Sequence, residues 1–280
     1  MNFQRVGLLL QPTIERARLL ATDISRLFLK EGYPEPWQCS AWDAPAVQAL
    51  IPEADLLITL GGDGTILKAA RASAPYHTPL LGVKLGQLGF LAEIQPERWR
   101  EALQQLFAHR YWIEERMLLR VQAQREGQPI SALYNALNDA VVGRGGLARL
   151  VRLEAYLDDG YLTTYVADGV IVSTATGSTA YALAVGGPIL PPGLQNILLL
   201  PIAPHLSMDR ALVLGKESVV RLRVLTDRQA VLTIDGQEEI DLLNADEVIV
   251  TASPHTSRFV RLRERNYFYR SLMDKLRWTT

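Results

Sequence analysis

The sequence predicts an α/β domain with a parallel, Rossmann-like sheet, followed by an all-β, sandwich-like domain. Three observations carry this. Continuous apolar strands alternate with helical patterns at the start of the chain; beyond Tyr111 strand patterns follow one another with Gly, Asp and Pro turns between them; and the change from one grammar to the other happens once. The corresponding spans are 1–113 for the first domain, 114–262 for the second, and 263–280 for a terminal segment that packs back on the first.

The elements follow in order. Residues 6–10 form a continuous apolar run, and residues 14–30 place Ile14, Ala17, Ala21, Ile24, Leu27 and Phe28 at helical spacing until Gly32 and Pro34 stop them. Residues 55–60 make a second buried strand, 65–72 a helix, 80–84 a third strand, and 96–109 a helix with proline in its first turn. Strands that are apolar throughout, separated by helices, imply a parallel sheet covered on both faces. In the second domain, strands are expected at 117–124, 151–157, 161–166, 169–173, 218–225, 230–235 and 247–251, with Asp158-Asp159-Gly160 as a hairpin turn. The tail, 266–278, carries Tyr267, Leu272, Met273 and Leu276 at helical spacing.

Composition narrows the function. The 280 residues include 29 basic and 30 acidic side chains, so no whole-molecule field draws the protein to nucleic acid or to a membrane surface, and a polyanion site must be local. Cys39 is the single cysteine, which excludes an internal disulfide and fits a cytoplasmic protein. The first apolar run is too short for a signal peptide, and no run has the length of a membrane helix. The four histidines, His77, His109, His205 and His255, are too dispersed to suggest a metal centre. Arg258, Arg261, Arg263, Arg265 and Arg270 read as a solvated or intersubunit face, countered in part by Glu264 and Asp274.

Two stretches carry chemistry. Gly61-Gly62-Asp63-Gly64-Thr65 leaves a buried strand and enters a helix, where an open α/β sheet binds its ligands; the glycines let backbone amides approach an anion at the helix start. The spacing matches neither a P-loop nor G-x-G-x-x-G. Asp63 is out of place beside phosphate unless it takes a proton, holds a metal or binds sugar hydroxyls, which suits phosphoryl transfer to an alcohol. The competing reading is a tight turn in which Asp63 caps the next helix. The second stretch, 168–181, runs DGVIVSTATGSTAY, and its hydroxyls and Tyr181 are expected to line a groove for a sugar or heterocycle, against the alternative of a capped helix start with ordinary turns. Asn138-Asp139, inside an apolar strand, needs polar partners if buried.

The pentapeptide also occurs in lipid kinases of the diacylglycerol kinase type. Taken with Leu88-Gly89-Phe90-Leu91, with Asn138-Asp139, and with DGVIVSTATGSTAYALAVGGPIL over 168–190, the chain resembles the NAD kinases over nearly its full length. The resemblance implies transfer of a phosphoryl group from ATP, or from polyphosphate, to the 2′-hydroxyl of the adenosine ribose of NAD, giving NADP, with a divalent cation, Mg²⁺, carried by the nucleotide. It implies Asp63 as proton acceptor, and Gly61, Gly62, Gly64 and Thr65 facing the donor phosphates. It further implies NAD contacts at Asp63, Gly64, Lys68, Phe90, Asn138, Asp139, Arg149, Asp168, Thr179, Ala180, Tyr181, Ala182, Leu183, Ala184 and Gln237, and a homo-oligomer, dimer or tetramer. Three positions depart from the family pattern: Asp139 stands where Glu is common, Lys84 where Asn is frequent, and Val166 where some members are basic. A lipid kinase and a non-catalytic dinucleotide sensor are the rival functions.

Overall fold

A computed structural model describes residues 3–86, 89–146, 150–205, 208–226 and 229–276. The chain forms two units: residues 1–115 with 256–280, and residues 116–255.

In the first unit, β1 (Val6–Leu10) leads into α1 (Glu15–Lys30), which buries Ala17, Leu20, Ala21, Ile24 and Phe28, an apolar stripe at helical spacing. Next come β2 (Trp37–Ser40) and α2 (Ala44–Leu50), the latter capped by the Asp43 carboxylate, which accepts a 3.2 Å hydrogen bond from the Ala46 N–H. They are followed by β3 (Leu56–Gly61), α3 (Asp63–Ser73), β4 (Leu80–Lys84) and α4 (Trp99–Phe107). The short pair β2 and α2 has no counterpart in the sequence reading, because Trp37-Gln38-Cys39-Ser40 lacks the continuous apolar character of its neighbours.

The strands are parallel in the order β2-β1-β3-β4. From β1 the chain moves outward to β2 and then crosses back to β3 on the other side, so the topological switch point lies between the carboxyl ends of β1 and β3. One sheet face packs under α1 and α4. The other receives α3, whose Ile66 lies so near Gly82 of β4 that a Cβ there would stand 3.0 Å from its Cδ1.

The second unit takes most of β5 (Trp112–Arg125), then β6 (Gln128–Pro129), β7 (Tyr134–Ala136), β8 (Asp139–Arg144), β9 (Val151–Leu157), β10 (Gly160–Ala167) and β11 (Gly169–Thr174). After the short helix α5 (Tyr181–Ala184) come β12 (Asn196–Ile202), β13 (Leu212–Gly215), β14 (Val220–Leu225), β15 (Ala230–Ile234), β16 (Glu238–Leu242) and the first part of β17 (Glu247–Arg261). One sheet runs β10-β9-β14-β17, with β5 on β17 and β6 and β7 on β5; the other runs β13-β12-β11-β8-β15-β16 and is antiparallel throughout. Leu119, Leu153, Tyr165 and Leu222 from the first share one core with Val142, Val172, Leu199 and Leu232 from the second, which makes the unit a sandwich, as expected. Asp158 and Asp159 both have positive φ, 47° and 68°, and turn β9 into β10 as the Asp-Asp-Gly sequence predicts.

The chain re-enters the first unit at Thr256 and not at residue 263, because Phe259 near the end of β17 pairs in parallel with Leu80 of β4. The tail is helical as expected, α6 spanning Tyr267–Leu276. The arginine run is a solvated face only in part: Arg265 and Arg270 are exposed, Arg270 pairing with Glu264 at 3.2 Å, but Arg261 departs from it. Arg261 is fully buried; its Nε donates to Glu114 (2.8 Å) and its Nη1 to Glu93 (3.2 Å) and to the Leu91 carbonyl (3.1 Å). Tyr267 of α6 donates to the same Glu114 carboxylate at 3.1 Å. Alternation along β17 turns Arg261 inward, and three local acceptors let a guanidinium be buried there.

Candidate active site

In the first unit the glycine loop sits at the switch point. Gly61 ends β3 and its carbonyl accepts from the Leu85 N–H at 2.9 Å, while Gly62 adopts an extended conformation and its carbonyl accepts the first bonds of α3, from Thr65 (3.1 Å) and Ile66 (3.3 Å). Gly61 is required sterically, since a Cβ there would run into the Thr65 hydroxyl and stand 3.1 Å from the Gln11 side chain, which follows β1. Gln11, Gly61 and Thr65 therefore converge where the fold places a ligand.

Asp63 is the first residue of α3, after the Gly62 N-cap, and its Oδ1 has no hydrogen-bond partner among the described residues, which speaks against the turn-and-cap reading. Its Oδ2 accepts a 2.7 Å hydrogen bond from the Lys84 ammonium at the end of β4. Lys84 is 12% exposed and Asp63 39%, so the pair is sheltered yet reachable. Gly89 closes over it: a Cβ there would collide with Asp63 Oδ2 and lie 2.6 Å from Lys84 Nζ. Four buried oxygens on this end of the unit, Gln11 Oε1, Thr59 Oγ1, Asp63 Oδ1 and Thr65 Oγ1, have no hydrogen-bond partner among the described residues. Buried polar atoms in that state are what a polar ligand satisfies. Lys68, one turn along α3, stands over the half-exposed Trp42 ring, 5.6 Å from its centroid, and Phe90 lies 6.4 Å from Phe268 of α6.

In the second unit three distant segments meet at Asn138 and Asp139. The carboxylate of Asp235, in the β15–β16 turn, accepts from the backbone N–H groups of Leu137 (2.9 Å), Asn138 (2.7 Å) and Asp139 (3.1 Å), and the Asp235 N–H donates to the Asp139 carbonyl at 2.9 Å. From the other side, the Thr174 hydroxyl donates to the Leu137 carbonyl (2.6 Å) and the Ser173 hydroxyl and Thr174 N–H to the Asn138 carbonyl (3.0 and 2.8 Å). Gly177 packs so tightly on the Asn138 carbonyl that no Cβ fits. Burial, and then the neighbouring charge of Asp235, push the Asp139 carboxyl up to about 7.

The strand part of the run 168–181 is internal, whereas Thr179 and Ala180 are half-buried, Tyr181 is exposed, and Thr176 Oγ1 has no hydrogen-bond partner among the described residues. Ser178 bonds the Ala175 carbonyl and the Leu190 N–H, and Thr179 the Thr176 carbonyl. A strand buried on both faces leaves its terminal hydroxyls only backbone to bind, and they bind the Asn138–Asp139 turn. Of the residues that the resemblance implies over 179–184, Tyr181 is exposed and Ala182 is packed in the core beneath its sheet, so Ala182 can offer only backbone. Asp168 faces Arg144 at 3.4 Å. Gln237 follows two left-handed residues, Asp235 and Gly236, in the β15–β16 turn. Arg149 lies outside the described residues. Lys84 and Asp235 were missed as site residues; the signal for each was an isolated charge at the end of an apolar strand.

Fold and loop together define a phosphotransferase-type protein, with a phosphate loop at a sheet switch point and a carboxylate inside it. Comparison with known proteins narrows this. The model of the ATP-NAD kinase N-terminal domain matches residues 25–111 and that of the ATP-NAD kinase C-terminal domain residues 137–262. A relative named NAD kinase, from Chloroflexus aurantiacus, is 43% identical over 276 residues, covering 98% of this chain and 99% of the relative. The crystal structure of yeast NADH kinase complexed with NADH superposes with a TM-score of 0.83 at 27% identity, over 99% of this chain and 89% of that one. An NAD kinase from Archaeoglobus fulgidus in complex with ATP shares the fold, with a TM-score of 0.78 at 24% identity over 98% of both chains. The chain belongs to the NAD kinase family.

Proposed function

We propose that this protein phosphorylates the 2′-hydroxyl of the adenosine ribose of NAD, with ATP as donor, to give NADP. The observation that carries the chemistry is Asp63 in the glycine loop at the switch point, sheltered and oriented by Lys84, in a chain of this family. Asp63 takes the proton as the ribose oxygen forms its bond to the terminal phosphorus and the bond to the ADP oxygen breaks. Gly61, Gly62, Gly64 and Thr65 receive the donor phosphates at the start of α3, and Lys68 stands one turn on. Asn138 and Asp139, fixed by the bonds described above, bind NAD, with Phe90, Asp168, Tyr181 and Gln237 as further contacts.

Mg²⁺ fits this donor set as a passenger of the nucleotide. Asp63 is the acidic side chain of the loop, and the donor's phosphates would supply the other oxygens for the cation. Bound with the donor, the cation neutralises charge on the phosphoryl group.

Asp63→Asn is expected to slow NADP formation by about 10² to 10⁴ while NAD binding persists. A coupled assay with NAD, ATP and Mg²⁺ measures the first, and titration calorimetry the second. Turnover by Asp63→Asn near the wild-type rate overturns the assignment, and NAD binding without any turnover by the wild type favours a sensor. No helix among the described residues is long and apolar enough to cross a membrane. The single cysteine supports a cytoplasmic enzyme, and the family resemblance a homo-oligomer. Light scattering at micromolar concentration reads the assembly, and a monomer there is the contrary result.

A further inference from the structure

We propose that Asp235 is the positioning residue for dinucleotide recognition, its carboxylate fixing Asn138 and Asp139 through three consecutive backbone N–H groups. This rests on the reading of Asn138 and Asp139 as NAD contacts. The geometry supports it on four counts.

First, the three donors, Leu137, Asn138 and Asp139, are consecutive, and each lies within 3.1 Å of an Asp235 oxygen. One carboxylate thereby sets the backbone path of both recognition residues. Second, Asp235 is itself held in place: it is buried, it has a positive φ of 50°, and its N–H returns to the Asp139 carbonyl, so turn and strand grip each other in both directions. Third, the carbonyls of Leu137 and Asn138 are held from the opposite side by Ser173 and Thr174. With the backbone engaged from both sides, the segment that carries Asn138 and Asp139 is fixed before any ligand binds, which spares the ordering cost that binding would otherwise carry. Fourth, charge-assisted bonds of this kind are the strong ones, and a neutral acceptor at the same place would hold the turn less firmly.

The same carboxylate also acts on Asp139 through space. It is the charged group whose field reaches Asp139; the residues opposite Asp139 and Ala140, Ser173 of β11 and Ile234 of β15, carry no charge. Asp139 serves the dinucleotide as a carboxylate that accepts hydrogen bonds from sugar hydroxyls. NAD affinity therefore falls as pH drops through the range where Asp139 takes a proton, near pH 7. Replacing Asp235 by a neutral residue removes the like charge and moves that fall to lower pH, while the loosened turn weakens affinity on the plateau above it.

The test is the NAD dissociation constant by titration calorimetry as a function of pH, together with steady-state kinetics. Asp235→Asn is expected to weaken NAD binding on the alkaline plateau by about tenfold, to raise KM for NAD by a similar factor with kcat much less changed, and to move the acid limb to lower pH. In an Asn138→Ala, Asp139→Asn background the same substitution is expected to have no further effect on NAD affinity, because a positioning residue acts only through what it positions. Ser173→Ala, which releases the turn from the other side, provides a second variant with the same NAD-directed loss if Asp235→Asn does not fold. An unchanged plateau overturns the proposal even if the acid limb moves, and so does an additive loss in the double background. If instead the wild type binds no NAD, the reading of the site fails and not the role of Asp235 within it.

Discussion

Asp139 is a buried acid with a second acid beside it, and its titration has a consequence for stability that does not depend on any ligand. Burial, then the charge of Asp235, raise it from 3.8 to about 7 in the folded state. The unfolded chain releases this proton near the ordinary value, so between the two the folded state binds more protons than the unfolded one. Stability from this group is complete below the unfolded value and is lost as pH rises through the folded value of about 7. Asp139→Asn, which cannot ionise, is therefore expected to gain on the wild type as pH rises from about 4 to 8, by at most a few kcal/mol. Urea unfolding at several pH values measures the difference; a gap that is constant with pH contradicts the coupling. The same scale shows what a sequence reveals of a site. Asp63 stands out in the sequence because its charge conflicts with the phosphate loop that the surrounding glycines suggest, a conflict contained in five residues. Lys84 and Asp235 do not, because their roles come from pairing: Lys84 stands 21 residues from Asp63 and Asp235 reaches amides 96 to 98 residues earlier. No local pattern encodes such distances.

At the level of elements, continuity of apolar character predicted strands well where they are buried on both faces. β1, β3 and β4 came out within a residue or so of their limits. It missed β2, at the sheet edge, and β13 and β16, which are half-exposed edge strands of the second sheet of the sandwich, and the expected strands also omit β12, although β12 is apolar and buried. An edge strand has fewer faces to bury and so less apolar signature. At the Ser- and Thr-rich end of β11 the polar signature has an internal explanation for Ser173 and Thr174. β11 lies between β8 and β12, buried throughout, and its hydroxyls are the internal partners of the β7–β8 connection. Polarity in a sequence states that partners are needed; which partners they are depends on the neighbouring strand. The arginines of β17 make the same point, since composition cannot tell a guanidinium facing solvent from Arg261, which faces Glu93 and Glu114.

Across the whole molecule the two units differ in how the chain builds them, and this has a measurable result. Unit 116–255 is one continuous stretch, and its core, from Met117 to Val250, contains no residue from outside it among the described residues. The other unit is discontinuous: residues 1–115 are completed by 256–280, which contribute Val260 to its core, Phe259 beside Leu80, and Arg261 between Glu93 and Glu114. Removing 256–280 does more than expose an edge strand. It takes from the buried Glu93 carboxylate the Arg261 guanidinium and the Leu262 and Arg263 amides that bond it at 3.0 Å. Uncompensated buried charge of this kind costs about 3–5 kcal/mol, a large part of the 5–15 kcal/mol by which typical domains are stable. Residues 116–255 expressed alone are therefore expected to unfold cooperatively in urea, with strand-type circular dichroism, whereas residues 1–115 alone are expected to show no cooperative transition, and a chain in which 256–280 is joined to 1–115 by a flexible linker is expected to regain one. Cooperative unfolding of 1–115 by itself would show that the returning segment is an accessory and not a part of the fold, and the glycine loop with Asp63 would then owe its shape to residues 1–115, Lys84 and Leu85 included.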